Sequence, residues 1–253
     1  MTSAIRFHQN SILVITKKVT LSNFLITGLA AALSYAAYVD DFAVSNWPWR
    51  TSLFVACICS LGPFLVYLPT RRTNALRTCG FMAAIGVFAV YYFFGIFGYF
   101  FYFGFAPMPG WSRWLGLIGG AALTAYWAAK THKSVKYTID HTSFVTSAFA
   151  DGDDVVSYDI QRGMAKFEKL HKESSPFPKI YAYIVYAIAP FYLVLNRLLG
   201  SDFGSTGVFL FIAILGMPLS LWLVALFVRV LLVMIVLPIE LERKHHKRVV
   251  VTV

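Results

Sequence analysis

Asp151, Asp153 and Asp154 put three carboxylates within four residues, a density at which a divalent cation could be held. The stretch lacks the further acidic positions and the closing glutamate of a calcium loop, so it reads as the solvated tip of an Asp151-Gly152 turn. His245 and His246 are neighbours in a basic tail, and His132, His141 and His171 are scattered without ligand spacing. The chain has no nucleophile elbow, phosphate-cradling glycine loop, dinucleotide fingerprint or paired catalytic carboxylates. A lipid-modifying enzyme would have to rely on Asp151, His141 or Asp159, and this class ranks last. The expectation is a protein without enzymatic activity, cofactor or metal.

Arg229 stands apart from the other bases, set among Phe227, Val228, Val230 and Leu231. An arginine at the centre of a bilayer costs at least ~2.5 kcal/mol on the insertion scale, so it needs a partner or a purpose. If its helix enters the membrane near Ser205, position 229 lies beyond the ~20 residues needed to cross and can snorkel to inner phosphates. Its functional readings are a lipid-headgroup or anion contact, or a pair with a carboxylate of the polar segment. None of the apolar runs holds Asp, Glu or His well inside it, which demotes proton-coupled transporters and intramembrane proteases. A passive channel or carrier escapes that argument and would use Pro63, Pro190 and Pro218 as gating kinks.

These residues must be positioned by apolar helices. With 58% hydrophobic and 13% charged residues and a mean hydropathy of +0.65, the chain departs from soluble domains, where about 25% charged is usual. Six apolar runs occupy residues 21–39, 51–68, 79–105, 113–129, 180–199 and 205–238. The first is longer than a cleaved signal and reads as an uncleaved anchor. The last reads as one tilted helix kinked at Pro218, with a fold-back at Gly216 and Pro218 as the alternative. The fold expected is an all-α polytopic membrane protein of six transmembrane helices with a small α+β cytoplasmic insertion between helices 4 and 5. Its organisation is a basic tail (1–20), a four-helix block (21–129), the insertion (130–179), a two-helix block (180–238) and a basic tail (239–253), with a loop expected at residues 200–204.

Within the spans, Gly116, Gly120 and Thr124 share one face at small-xxx-small spacing and invite close helix packing, internally or with a second copy of the chain. Trp47 and Trp49 suit an outer water interface. The eleven Phe and Tyr between Tyr91 and Phe105 surround their helix and read as a lipid-facing, interfacial belt with some core packing. Cys57, Cys59 and Cys79 read as buried apolar thiols.

The polar segment carries seven of the twelve acidic residues. Val135, Tyr137 and Ile139 alternate, as do Val156, Tyr158 and Ile160 on the other side of the Asp151-Gly152 turn, which predicts a ribbon of two or three antiparallel strands. Residues 161–173 form an amphipathic helix on Met164, Phe167 and Leu170, lying on the ribbon or on inner headgroups. The β-branched residues 249–253 can add an edge strand to that ribbon or to a partner's sheet.

Eighteen of the 22 Lys and Arg fall on the tails, the second loop and the insertion, against Arg50, Arg113 and Arg197 on the opposite side. This places both termini and the insertion in the cytoplasm, at what reads as a bacterial inner membrane. The net charge of +10 is spent on this asymmetry, so no nucleic-acid partner is expected. The expected function is action through contacts, as an accessory or scaffold subunit of an envelope assembly or as a protective membrane protein. A protein partner would dock on residues 130–179 or the C-terminal tail.

Overall fold

The computed structural model describes residues 2–70, 74–152, 154–171, 183 and 192–252, with side chains from residue 13 onward and, in the last helix, from residue 206. Helix α1 (Thr2–Tyr35) runs into a π-helical turn, Ala36–Asp41, and α2 spans Trp47–Thr70. Helix α3 (Leu76–Tyr91) continues through a π-helical stretch, Tyr92–Phe101, and a last turn, Tyr102–Phe105. Next come α4 (Gly110–His141), the short α5 (Phe144–Ala148), strands β1 (Phe149–Asp151) and β2 (Val155–Asp159), and α6 (Ile160–Leu170). The last rod, α7, is Tyr192–Leu231 extended through a π-helical turn, Leu232–Val236, and through Leu237–His245; strand β3 (Arg248–Thr252) follows.

Among the described residues, four helical segments are long and apolar enough to cross a membrane: Leu13–Asp41, Trp47–Thr70, Leu76–Phe105 and Thr206–His245. Run 113–129 is helical, within α4, but is not among these four. Of run 180–199, residues 180–182 and 184–191, with Pro190, lie outside the described residues. Two expectations about the last run resolve differently. Residues 200–204, expected as a loop, are helical, and the chain passes helically through Gly216 and Pro218 instead of folding back. Glycine in a helix costs only ~1 kcal/mol, and membrane helices absorb an interior proline by re-satisfying the freed backbone groups.

Helices α1 and α2 form an antiparallel pair along a seam of small and polar side chains. Thr16, Asn23, Thr27, Ala30 and Ser34 are buried on α1 and Ala37 in the π-helical turn that follows it; Ser52, Ala56, Cys59 and Pro63 are buried on α2. The spacings of three, four and seven residues are those of a helix-packing stripe. Asn23 Nδ2 donates to Cys59 O at 3.1 Å, and Ser34 Oγ lies 3.0 Å from Ser52 Oγ, which is 2.8 Å from the Tyr92 hydroxyl beyond the end of α3. Leu21, Phe24, Leu25, Leu53, Phe54 and Ile58 point outward from this seam. Cys57, expected to be buried, shares that exposed surface.

Aromatic side chains close one end of the bundle. Tyr92, Phe97 and Tyr102 are buried, with Tyr38 and Ala106 beside them, and no aromatic residue between 91 and 105 is fully exposed. This is the core packing expected alongside the belt, and the other eight aromatic residues of the stretch are partly exposed. The cause of that packing is the helical period: i→i+5 bonding in the π-helical stretch brings side chains five apart onto one face, whereas 3.6 residues per turn would scatter them. Ala43, in the α1–α2 connection, sits at φ 49°, where a Cβ is strained. Ala43→Gly is expected to raise the thermal unfolding midpoint in detergent, corresponding to ~0.5–1 kcal/mol.

The opposite end carries the sheet, in the order β1-β2-β3. Strands β1 and β2 pair antiparallel around the Asp151-Gly152 turn, closed by Gly152 N to Val155 O at 3.0 Å. Strand β3 pairs with β2 in parallel, Val156 opposite Val249 and Tyr158 opposite Val251. These four residues face the core with Leu76, Val135, Phe144, Phe167, Val233 and Leu237. The expected strand at Val135, Tyr137 and Ile139 is corrected, because α4 runs unbroken through Lys130 to His141. Thr131, Val135 and Thr138 are its buried face, four and three residues apart, and this helical stripe outweighs a three-residue alternation.

Candidate functional site

The sheet end brings together segments distant in sequence. Val249 N donates to Glu242 Oε1 at 3.1 Å, and Arg77 NH1 lies 3.8 Å from Glu242 Oε2, so one carboxylate ties α7, β3 and the start of α3. Val251 N donates to Asn74 O at 2.8 Å, and Ala75 pairs with Val250, which covers the outer edge of β3. Lys247 Nζ reaches Asp151 Oδ1 and Gly152 O, both at 2.8 Å, and clamps the hairpin tip to the end of α7. That ammonium, through its hydrogen bond first, holds the Asp151 carboxyl below its ordinary range.

Arg229 belongs to the same end. Its NH1 lies 3.8 Å from Glu168 Oε1 and its guanidinium sits 5.4 Å from the centre of the Phe167 ring, while its Nε is buried without a hydrogen-bond partner among the described residues. Phe167 also stacks on His171, 4.8 Å between ring centroids. Thr138 Oγ1 lies 3.0 Å from Ser134 O and 3.0 Å from His171 Nδ1, within hydrogen-bond distance of both. Helix α6 is thus fastened to α4 and α7 by one ion pair, one aromatic plug and one histidine. Asp159 starts it, accepting from Arg162 N at 2.9 Å as a helix cap.

Gly163 of α6 is where Tyr158 needs room: a Cβ there would run into the Tyr158 ring and hydroxyl. Burial, then the neighbouring Asp159 charge, pushes the Tyr158 phenol from its ordinary 10.0 to about 12. The folded state thus disfavours the phenolate. Stability from this group is fully present below pH 10.0 and is lost as pH rises through about 12. Tyr158→Phe is expected to remove that alkaline loss, read as the pH dependence of amide-exchange protection in β2. The hydroxyl is also buried without a partner among the described residues, so the variant is expected to gain up to ~1 kcal/mol at neutral pH.

Among the other residues singled out from the sequence, Gly116 and Gly120 line a groove on α4 filled by Phe103 and Tyr99, whose hydroxyl donates to Gly116 O at 3.1 Å. Thr124 continues the same face of α4, with its hydroxyl buried. Aromatic rings, rather than a second backbone, occupy the groove. Pro63 is buried in the α1–α2 seam and Pro218 lies inside α7, far from the sheet in sequence and on separate helices. Gly80 is a contact that sequence reasoning misses. A Cβ there would lie 2.7 Å from Met234 O, so α3 and α7 cross almost in backbone contact; a lone glycine in a long apolar run carries no spacing signal.

Among the described residues, no group of three His, Cys, Asp or Glu comes together as a metal site. The helical architecture, with four helices among the described residues long and apolar enough to cross a membrane, is that of an integral membrane protein. No family model matches the chain, and comparison with curated proteins and with solved structures gives no match.

Proposed function

We propose that this is a multi-pass membrane protein that acts through protein contacts on its sheet-bearing end, as an accessory or scaffold subunit of an envelope assembly or a protective membrane protein. The observation that carries this reading is the parallel pairing of β2 with β3. It joins the hairpin between α4 and α6 to the strand after α7 as one platform seated on the ends of α3, α4 and α7. Its outer strand β1 carries exposed Ala150 and Asp151, an edge suited to strand addition by a partner.

Six crossings are part of this proposal and rest on the six apolar runs of the sequence. Helix α4 has Trp111 and Trp114 exposed at its start and, 20 residues beyond Gly110, Lys130 lying 4.5 Å over the Trp127 ring, the two girdles of a span. On the charge asymmetry, the sheet end is cytoplasmic and the membrane a bacterial inner membrane.

The test is co-purification of the full-length protein from its native membrane under mild detergent. One stoichiometric protein partner, lost in Val249→Asp while membrane insertion is kept, is the expected result. Passive conduction is the second reading, favoured by the buried Ser34, Ser52 and Tyr92 hydroxyls beside the seam that holds Pro63. Solute or ion flux through liposomes carrying the purified protein, reduced by Pro63→Ala or Pro218→Ala, would replace the contact reading with that one.

A further inference from the structure

We infer that α6 presents a cationic face to anionic phospholipid headgroups, an inference that rests on the membrane reading above. Depth is the first argument. Arg229 follows Thr206, at the aromatic end, by 23 residues of helix, ~35 Å at 1.5 Å per residue against ~30 Å of hydrocarbon. Lys130, 20 residues beyond Gly110 on α4, reaches ~30 Å by the same count. Two cations on different helices thus mark one headgroup level, and α6 touches it through Phe167 and Glu168 against Arg229.

The second argument is which side of α6 is left over. Its apolar face is used inside the protein, with Phe167 fully buried and Gly163 against Tyr158, so the helix cannot bind a bilayer by inserting that face. Outward point Arg162, Lys166 and Lys169, four and three residues apart on one exposed stripe. Glu168, the carboxylate within α6, is turned to Arg229. Asp159, at the cap, lies 3.6 Å from Arg162, and Lys166 donates to Ser147 O; both are exposed contacts that a phosphate can compete with. At headgroup depth the anions present at high density are lipid phosphates, which makes the bilayer the occupant.

The experiment titrates the purified full-length protein in detergent with phosphatidylglycerol, phosphatidylcholine or glycerol phosphate and follows the thermal unfolding midpoint. Phosphatidylglycerol is expected to raise it, while phosphatidylcholine and glycerol phosphate leave it in place. Each cation near an anionic surface contributes roughly a factor of five, so R162Q/K166Q/K169Q should need at least about tenfold more phosphatidylglycerol for the same shift. R243Q/K244Q removes two cations about 21 Å further along α7, beyond a Debye length of ~8 Å, and should respond like the unaltered protein. Equal response of the triple variant and the unaltered protein overturns the inference, as does an equal effect of phosphatidylcholine. Carbonate washing of the source membranes separates the two levels: retention of the protein keeps the membrane reading whatever the titration gives, and release overturns both.

Discussion

Val249→Asp is expected to unfold the sheet platform, with a loss of about 3–5 kcal/mol, while the α1–α2 pair stays folded. Val249 is fully buried and paired with Val156, and the carboxylate nearest to its backbone is Glu242, which already accepts from Val249 N. A charge introduced there loses its hydration and meets a like charge. Few point substitutions are worse placed. Because β3 is the strand that joins the hairpin to the end of α7, its loss uncovers Val156 and Tyr158 and frees the Lys247 clamp on Asp151. Amide exchange on the full-length protein in detergent reads this directly. Protection is expected to fall across Val155–Asp159 and to persist in α2, and Val249→Ile, which keeps the apolar contact, should behave nearly as the unaltered protein.

The second large effect is expected at Gly116, where replacement by alanine drives a methyl group into the Phe103 ring at the atoms nearest its own backbone. A ring held there by packing with Tyr99 and Tyr102 cannot swing aside freely. The cost is set at about 1–3 kcal/mol, the range for overpacking a fitted core. Gly119, one turn further on the same helix, has open space where alanine would place its methyl group, with no atom within 4 Å. Gly119→Ala should therefore be neutral or stabilising by up to ~1 kcal/mol through helix propensity. Combining Gly116→Ala with Phe103→Ala is expected to cost less than the two single changes added, since each relieves the clash or the void left by the other. Thermal unfolding of the four variants in one detergent checks the comparison.

The parts of this fold that are legible in the sequence are those set by local rules. The Asp151-Gly152 turn, the apolar stripe of α6 and the spacing of Gly116 and Gly120 are each written within ten residues, and each appears as a turn, a helix or a groove. Legibility ends where the period changes or the partner is distant. Tyr92, Phe97 and Tyr102 share a face only once i→i+5 bonding is granted, so aromatics that look unsided at 3.6 residues per turn line the interior. Val135 and Ile139 fit a strand or a helix equally over so few residues, and burial of Thr131 and Thr138 in the same core decides for the helix. The parallel register of β2 and β3 joins residues more than ninety positions apart, and nothing in either segment names the other. The polar stripe of α1, from Thr16 through Asn23 and Thr27 to Ser34, is present in the sequence as a repeat of small residues among larger apolar ones. Span length alone does not reveal it; only the sidedness of the run does.

That long-range pairing is the central claim, since it alone makes one platform of the hairpin and the last strand. Its most direct test is disulfide formation in native membranes between cysteines placed at Ser157 and Val250, directly paired residues of β2 and β3, in a chain whose Cys57, Cys59 and Cys79 are alanine. The two positions are neighbours across one strand spacing, ~4.8 Å, within reach of a disulfide, whereas cysteines at Ala150 and Val250 are separated by two spacings and are not. Efficient cross-linking of the Ser157 and Val250 pair, with little for the Ala150 and Val250 pair, is the predicted result. Equal cross-linking of both pairs, or none at Ser157 and Val250, would contradict the shared platform.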